Sequence, residues 1–109
     1  MSTDLELLEL AAKALGYDLY VNKVDATQLT KNGEYVCFWN PLINDADALR
    51  LAATLTMNLY MGFGAGVIAE ILPDGDEGGI DCKEDGADFM AAVRRAIVRA
   101  AAEIGRAMP

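Results

Sequence analysis

Acidic side chains form the densest cluster of chemically capable residues in this sequence. Seven acids lie within fifteen residues, with Lys83 as the only base among them: Asp74, Asp76, Glu77, Asp81, Glu84, Asp85 and Asp88. Carboxylates that lie close together can bind Ca²⁺, act as an acid and base pair, or hold a basic partner. We call residues 74–88 the acidic segment, and the spacing of its acids indicates which of these three uses is favoured.

A calcium loop is only partly matched by the acidic segment. Asp74, Asp76 and Asp85 occupy positions one, three and twelve of a twelve-residue loop, with Gly79 at position six. However, Gly78 offers no side-chain ligand at position five, and the preceding segment is typical of a strand rather than a helix. We therefore expect no metal site and no other cofactor.

Catalysis would have to do without histidine, because the chain contains none. That absence excludes histidine general bases, Ser-His-Asp triads and nearly all common zinc sites. The remaining candidates are carboxylates, tyrosines, lysines and two cysteines, and nothing in the spacing marks two acids as converging. We expect no catalytic residues, and a small carboxylate-dependent hydrolase is the alternative.

Charge is distributed unevenly along the 109 residues, which carry 17 acids, 9 bases and a net charge of −8. The net charge is −3 over residues 1–43, −8 over residues 44–93 and +3 over residues 94–109. Such a chain is not expected to bind nucleic acid directly, because phosphate contacts need cations. We predict instead that a basic protein surface is bound by six acids: Asp74, Asp76, Glu77, Asp81, Glu84 and Asp85. The alternative is a solvated loop that only maintains solubility.

The C-terminal segment combines four arginines with small residues. Arg94, Arg95, Arg99 and Arg106 are expected to form a solvated helix face, since cations are favoured near a helix C-terminus. Ala100, Ala101 and Gly105 would allow a second helix to approach closely, so a homodimer through the last helix is a further hypothesis.

Two other motifs are interpreted structurally. The repeat Gly62-x-Gly64-x-Gly66 lacks the third glycine of a dinucleotide-binding loop and is followed by a strand-like segment, so it predicts a turn. Trp39 is expected in the core together with its aromatic neighbours Tyr17, Tyr20 and Phe38.

Three helices are predicted from capping residues and apolar periodicity. The first runs from Asp4 to about Leu15, because Thr3 and Glu6 form a capping box. The second is capped by Asn44 or Asp45 and ends near Met57 or Asn58, and the third runs from Ala87 or Asp88 to Ala107.

Paired strands are predicted between these helices. Residues 17–22 and 34–39 are rich in aromatic and β-branched side chains, with a tight turn at Asn32-Gly33, and residues 59–61, 67–72 and 80–82 predict further strands. Residues 23–30 are ambiguous between a strand and a loop, because alternate side chains could form a strand whereas Asp25 and Ala26 favour a loop. The order indicates one α+β domain, residues 1–109, in which an antiparallel β-sheet is flanked by helices in helix–sheet–helix layers, with a long C-terminal helix. No internal repeat is evident.

Several features point to the cytoplasm as the compartment. The chain starts with a capping pattern instead of an export signal, and its longest run without a charged or strongly polar residue, Leu59 to Ala69, is too short to span a membrane. Cys37 and Cys82 lack CxxC spacing and are interpreted as small core residues; whether they pair is left open.

Three stretches of the sequence resemble a known family. They are Trp39-Asn40-Pro41-Leu42, the run from Asp45 to Ala52 (DADALRLA), and the alanine- and arginine-rich run from Arg94 to Met108. Together they resemble the phage α-β-α sandwich domain, a family of small phage and prophage proteins. The resemblance implies a layered helix–sheet–helix fold and a phage or prophage origin, and it implies no known activity.

Charge and resemblance together suggest a non-enzymatic interaction protein in the cytoplasm of a host bacterium. Its expected partner is a host or phage protein with a basic surface, and inhibition of the anti-CRISPR type by nucleic-acid mimicry is one concrete form. A virion or assembly component that self-associates is the main alternative.

Overall fold

The computed structural model describes residues 3–62, 66–71, 80–84 and 88–109. Its three helices are α1 (Asp4–Ala14), α2 (Asp45–Thr54) and α3 (Phe89–Ala107). The first sheet contains β1 (Asp18–Val21), β2 (Thr27–Lys31) and β3 (Glu34–Phe38), in that order. The second sheet contains β4 (Asn58–Gly62), β5 (Gly66–Ile71) and β6 (Ile80–Glu84), in that order. The α+β class, the antiparallel pairing and the long C-terminal helix are confirmed, although the strands form two sheets and not one.

Each helix begins at a side chain that accepts a backbone hydrogen bond. The Thr3 hydroxyl accepts from the amide of Glu6 at 3.1 Å, and the Asn44 side chain accepts from the amide of Asp47 at 3.0 Å. The Asp88 carboxylate accepts from the amide of Ala91 at 3.1 Å. These bonds satisfy amides that have no partner within the helix, which is why the helix starts were predictable from local sequence.

The first sheet is built around a two-residue hairpin. Asn32 and Gly33 have φ values of 55° and 81°, as a tight turn with two left-handed residues requires. The strand β2 lies in the stretch that the sequence left ambiguous between loop and strand. The register shifts between Leu29 and Thr30 of β2, because β3 contains one extra residue, Val36, as a β-bulge.

The two sheets belong to two units with the same αβββ order, which the sequence had not revealed. In each unit the helix ends at a left-handed residue, Gly16 or Thr56. The amide of the residue that follows then donates to a carbonyl of the helix. Tyr17 donates to Ala12 at 3.0 Å in the first unit, and Met57 donates to Ala52 at 2.9 Å in the second. An offset of 40 residues relates these positions, but only a few residues are identical at that offset, so the repeat is structural.

The C-terminal helix α3 joins the two units. It packs against α1 and α2 and also against β5 and β6 of the second sheet. Ala96, Ile97, Ala100 and Ala101 have no exposed surface, so a wide part of the helix is buried. Apolar burial of this kind is the main stabilising contribution to a small domain.

Small residues on α3 accommodate a helix of the same chain. A Cβ atom added at Gly105 would lie 1.9 Å from the carbonyl oxygen of Leu10 in α1. Ala100, Ala101 and Gly105 are therefore buried against the chain itself, and a homodimer through the last helix would have to use other residues.

The two cysteines are free thiols in different sheets. Cys82 is buried in β6, and Cys37 is partly buried in β3. Both pack in or against the core, as predicted.

Candidate functional site

The six predicted binding acids are only partly within the described residues. Asp74, Asp76, Glu77 and Asp85 lie outside them. Asp81 belongs to β6, where its backbone is paired with Glu70 of β5. Glu84 is the last residue of the same strand.

Glu84 is bound within the protein. In the register of the second sheet it lies opposite Val67, whose side chain has no exposed surface, and this inward face lies against α3. The Glu84 carboxylate forms an ion pair with the Arg99 guanidinium there. Its side chain is only 19% exposed, so Glu84 contributes less free negative charge than the sequence suggested.

The other arginines of α3 are also ion-paired. Arg94 is only 15% exposed, unlike the solvated face that the sequence predicted, whereas Arg95 and Arg106 remain 40% and 48% exposed. Arg94 contacts Asp45 at 2.6 Å and donates to the carbonyl of Leu42 at 2.9 Å. Arg95 contacts Asp4 at 3.0 Å, and Arg106 contacts Glu103 at 3.4 Å. Because Asp45 and Asp4 begin the other two helices, Arg94 and Arg95 fasten α3 to α2 and α1.

The fifth arginine of the chain follows the same rule. Arg50 lies 3.7 Å from Asp47, one turn earlier in α2. Every arginine is therefore next to a carboxylate, and no cluster of free arginines remains in the described part of the chain to hold an anion.

Several acids, by contrast, form no ion pair with a base in the described part of the chain. The carboxylates of Glu9, Asp18, Asp25 and Glu34 belong to exposed residues, and none of the basic groups that the structure describes forms an ion pair with them. Within the described residues, no group of three acids or cysteines is arranged to hold a metal ion.

The outward face of the first sheet carries three exposed aromatic rings, which we call the aromatic face: Tyr20, Tyr35 and Phe38. They are 53%, 58% and 60% exposed. Tyr20 and Phe38 are the cross-strand partners of Gln28 on its two sides, so all three side chains lie on one face of the sheet. Leu29, the next residue of β2, is buried on the other face. The prediction that Tyr20 and Phe38 belong to the core is wrong, whereas Trp39 is buried as predicted.

The β-bulge explains why two of these rings meet. Residues three apart in a regular strand point to opposite faces, because side chains alternate. The extra residue in β3 moves Tyr35 to the same face as Phe38, and their rings make an edge-to-face contact with centroids 5.6 Å apart. No local sequence signal identifies this bulge, so the aromatic face was not predictable from the sequence.

A groove of about 350 Å³ lies where the first sheet meets the start of α2, and we call it the end groove. Its lining includes Phe38 and Ile43, which are 60% and 75% exposed, and the acids Asp25 and Asp47. Phe38 therefore belongs both to the aromatic face and to the wall of the end groove.

The turn after β3 fixes the wall of the end groove. The amide of Asn40 donates to Asp47 at 2.9 Å, and the Asn40 side chain accepts from the amide of Leu42 at 3.1 Å. The amide of Asn44 donates to the carbonyl of Asn40 at 2.9 Å. Buried Pro41 and Trp39 anchor the same turn, so the motif that carries the family resemblance has a structural role here.

Comparison of the chain with protein-family models, with curated proteins and with solved structures finds no match. Among the described residues, no helix is long and apolar enough to cross a membrane.

Proposed function

We propose that this chain is a non-enzymatic interaction protein of phage or prophage origin that acts in the bacterial cytoplasm. It binds a host or phage protein through a basic surface on that partner. The phage origin rests on the resemblance of the motif at residues 39–42 and the two helical segments.

One observation carries this proposal: the chain uses its arginines internally. All five are ion-paired with carboxylates of the same chain. When these five pairs are set aside, 17 acids become 12 and 9 bases become 4. Because the four remaining bases are lysines, the surface has a large excess of negative charge and no arginine to offset it.

The mechanism would be electrostatic. An acidic surface attracts a basic partner over several ångströms and speeds its association, and salt weakens that attraction. Carboxylates at the spacing of phosphates would also compete with a nucleic acid for the same basic surface. Inhibition of a nucleic-acid-binding host protein, of which the anti-CRISPR type is one form, follows from such competition.

The test is to purify a partner and measure how its binding responds to charge. Tagged protein captures partners from a nuclease-treated bacterial lysate, and a captured partner is then purified and titrated. The acidic-segment variant carries Asp74→Asn, Asp76→Asn and Glu77→Gln. The matched control removes the same charge elsewhere, with Glu6→Gln, Glu9→Gln and Glu34→Gln.

We expect a basic partner whose affinity falls by about tenfold or more between 50 and 300 mM salt. A DNA or RNA oligonucleotide should displace this protein from the partner. The acidic-segment variant should bind the partner more weakly than the control variant does. Binding that is equal for the two variants would contradict the assignment of the acidic segment, and binding that is indifferent to salt would contradict the electrostatic mechanism. Failure of any basic protein to bind would contradict the function itself.

A further inference from the structure

We propose that the end groove binds an arginine side chain from an extended, basic segment of the partner. This inference rests on the proposed function and adds a second contact surface, formed by residues that do not belong to the acidic segment. Phe38 supplies a ring for the guanidinium to stack on, and Asp25 supplies its counter-charge.

The first argument is the shape and exposure of the end groove. Its volume of about 350 Å³ is enough for one long side chain. Phe38 and Ile43 remain 60% and 75% exposed at its walls, although they are large apolar side chains. Large apolar side chains grouped at the edge of a concave site are typical of a contact surface.

The second argument is charge. Asp25 lines the end groove, is exposed, and forms no ion pair with any base in the described residues. Asp47 is 15% exposed and already accepts a hydrogen bond from the amide of Asn40, with Arg50 at 3.7 Å. Asp25 is thus the carboxylate that is available to a ligand, and Asp47 holds the wall in place.

An anionic ligand is disfavoured at this position. The end groove lies at the start of α2, where the helix dipole alone would attract an anion. However, the first turn of α2 already contains Asp45 and Asp47, and the net charge of the chain is −8. These carboxylates offset the dipole, so a cation is the ligand whose charge complements the site.

Arginine fits the site better than lysine because of the aromatic ring. A guanidinium is planar and weakly hydrated, and it stacks on an aromatic ring while it donates hydrogen bonds to a carboxylate. None of the chain's own arginines lines the end groove, although Arg50 lies 3.7 Å from its lining residue Asp47. The adjoining rings of Tyr35 and Tyr20 would contact the next residues of the bound segment.

The probe for this proposal is a fluorescein-labelled ten-residue peptide that alternates threonine and arginine. Matched peptides replace arginine with lysine or with citrulline, which keeps the shape and removes the charge. Binding is measured by fluorescence anisotropy, and the site is located from backbone amide shifts in NMR spectra. The variants are Phe38→Ala, Ile43→Ser and Asp25→Asn, and Glu9→Gln is the control with the same charge change as Asp25→Asn.

We expect the arginine peptide to shift the amides of Ala26, Phe38 and Ile43. Phe38→Ala should weaken binding about fivefold and Asp25→Asn about threefold, while Glu9→Gln changes it by less than about 1.5-fold. The lysine peptide should bind about threefold more weakly than the arginine peptide, and the citrulline peptide should not bind measurably. Unfolding curves confirm that each variant is folded, and Ile43→Ser repeats the test if Phe38→Ala is not.

Two results would contradict the end groove as the arginine site. If the arginine peptide binds but shifts other amides, and the groove variants bind as the wild type does, the end groove is not the site and the proposed function is unaffected. If no arginine or lysine peptide binds at any salt concentration, the end-groove proposal is contradicted, and the proposed function is then decided by the titration of the captured basic partner.

Discussion

The outer faces of the two sheets differ although the two units share one αβββ order. On the first sheet, Tyr20, Tyr35 and Phe38 are exposed, and the two latter rings contact only each other among aromatic residues that the structure describes. On the second sheet, Tyr60 occupies the position that corresponds to Tyr20. Its hydroxyl donates to Glu70 at 3.2 Å, and the side-chain amide of Asn58 donates to the same oxygen at 3.4 Å.

This difference shows how one backbone plan can carry two kinds of surface. On the second sheet Tyr60 lies opposite Ile68, and its hydroxyl shares a Glu70 oxygen with the Asn58 amide, which favours a solvated face. The first sheet gathers aromatic rings beside a groove, which favours contact with a partner. Substitutions in the helix that both units share should have larger effects on stability than substitutions of the side chains that distinguish the two faces.

Gly105→Leu should have the largest effect, because it disrupts the helix that joins both units. A Cβ atom at this position would lie 1.9 Å from the Leu10 carbonyl oxygen, so α1 and α3 would have to separate. We expect a loss of about 3 kcal/mol in the free energy of unfolding, measured by chemical denaturation. Ala107→Leu, on the exposed end of the same helix, is the control and should change little. Equal stability of the two variants would show that α1 does not dock at Gly105.

Arg94→Ala should have the next largest effect, a loss of about 2 kcal/mol in the free energy of unfolding. The Arg94 side chain is only 15% exposed and fastens α3 to the second unit through both Asp45 and the Leu42 carbonyl. Arg95→Ala removes the corresponding link to Asp4 of the first unit, where both side chains are more exposed, and should cost less than about 1 kcal/mol. Urea denaturation of the two variants measures the difference, and a reversed order would refute this account of how the units are fastened.

Glycine at Thr56 and threonine at Gly16 should change the free energy of unfolding by about 1 kcal/mol each, with opposite signs. Thr56 has a φ of 56°, which is unfavourable for a β-branched residue, so Thr56→Gly should stabilise the protein. Gly16 has a φ of 85° and open space around it, so Gly16→Thr should destabilise it through backbone conformation alone. Thermal unfolding of both variants tests whether the two helix ends are equivalent. Changes of the same sign would count against the structural repeat.

The smallest effects should come from the outer faces themselves. A double-mutant cycle of Tyr35→Ala and Phe38→Ala should give a coupling of about 0.5–1 kcal/mol for the ring contact. Tyr60→Phe removes an exposed hydrogen bond to Glu70 and should cost about 0.5 kcal/mol or less. Absence of coupling between Tyr35 and Phe38 would show that the bulge does not bring these rings together in solution.

Local features of the fold could be predicted from the sequence because they depend on neighbouring residues. The caps at Thr3, Asn44 and Asp88 and the turn at Asn32-Gly33 each involve groups within three residues of one another. The strand β2 was left ambiguous, because its alternation of side chains is weak until its partners are known. The repeat was missed because backbone geometry preserves it and residue identity does not.

The charge of this protein was determined by its sequence, but the availability of that charge was decided by the tertiary structure. Composition alone determines the net charge of −8 and the absence of histidine chemistry. Which charges are neutralised depends on pairs such as Arg94 with Asp45, whose residues are 49 positions apart. The fold likewise exposes Tyr20 and Phe38 and buries Trp39, because strand register and a single bulge set the direction of each side chain, and neither is encoded by a local pattern.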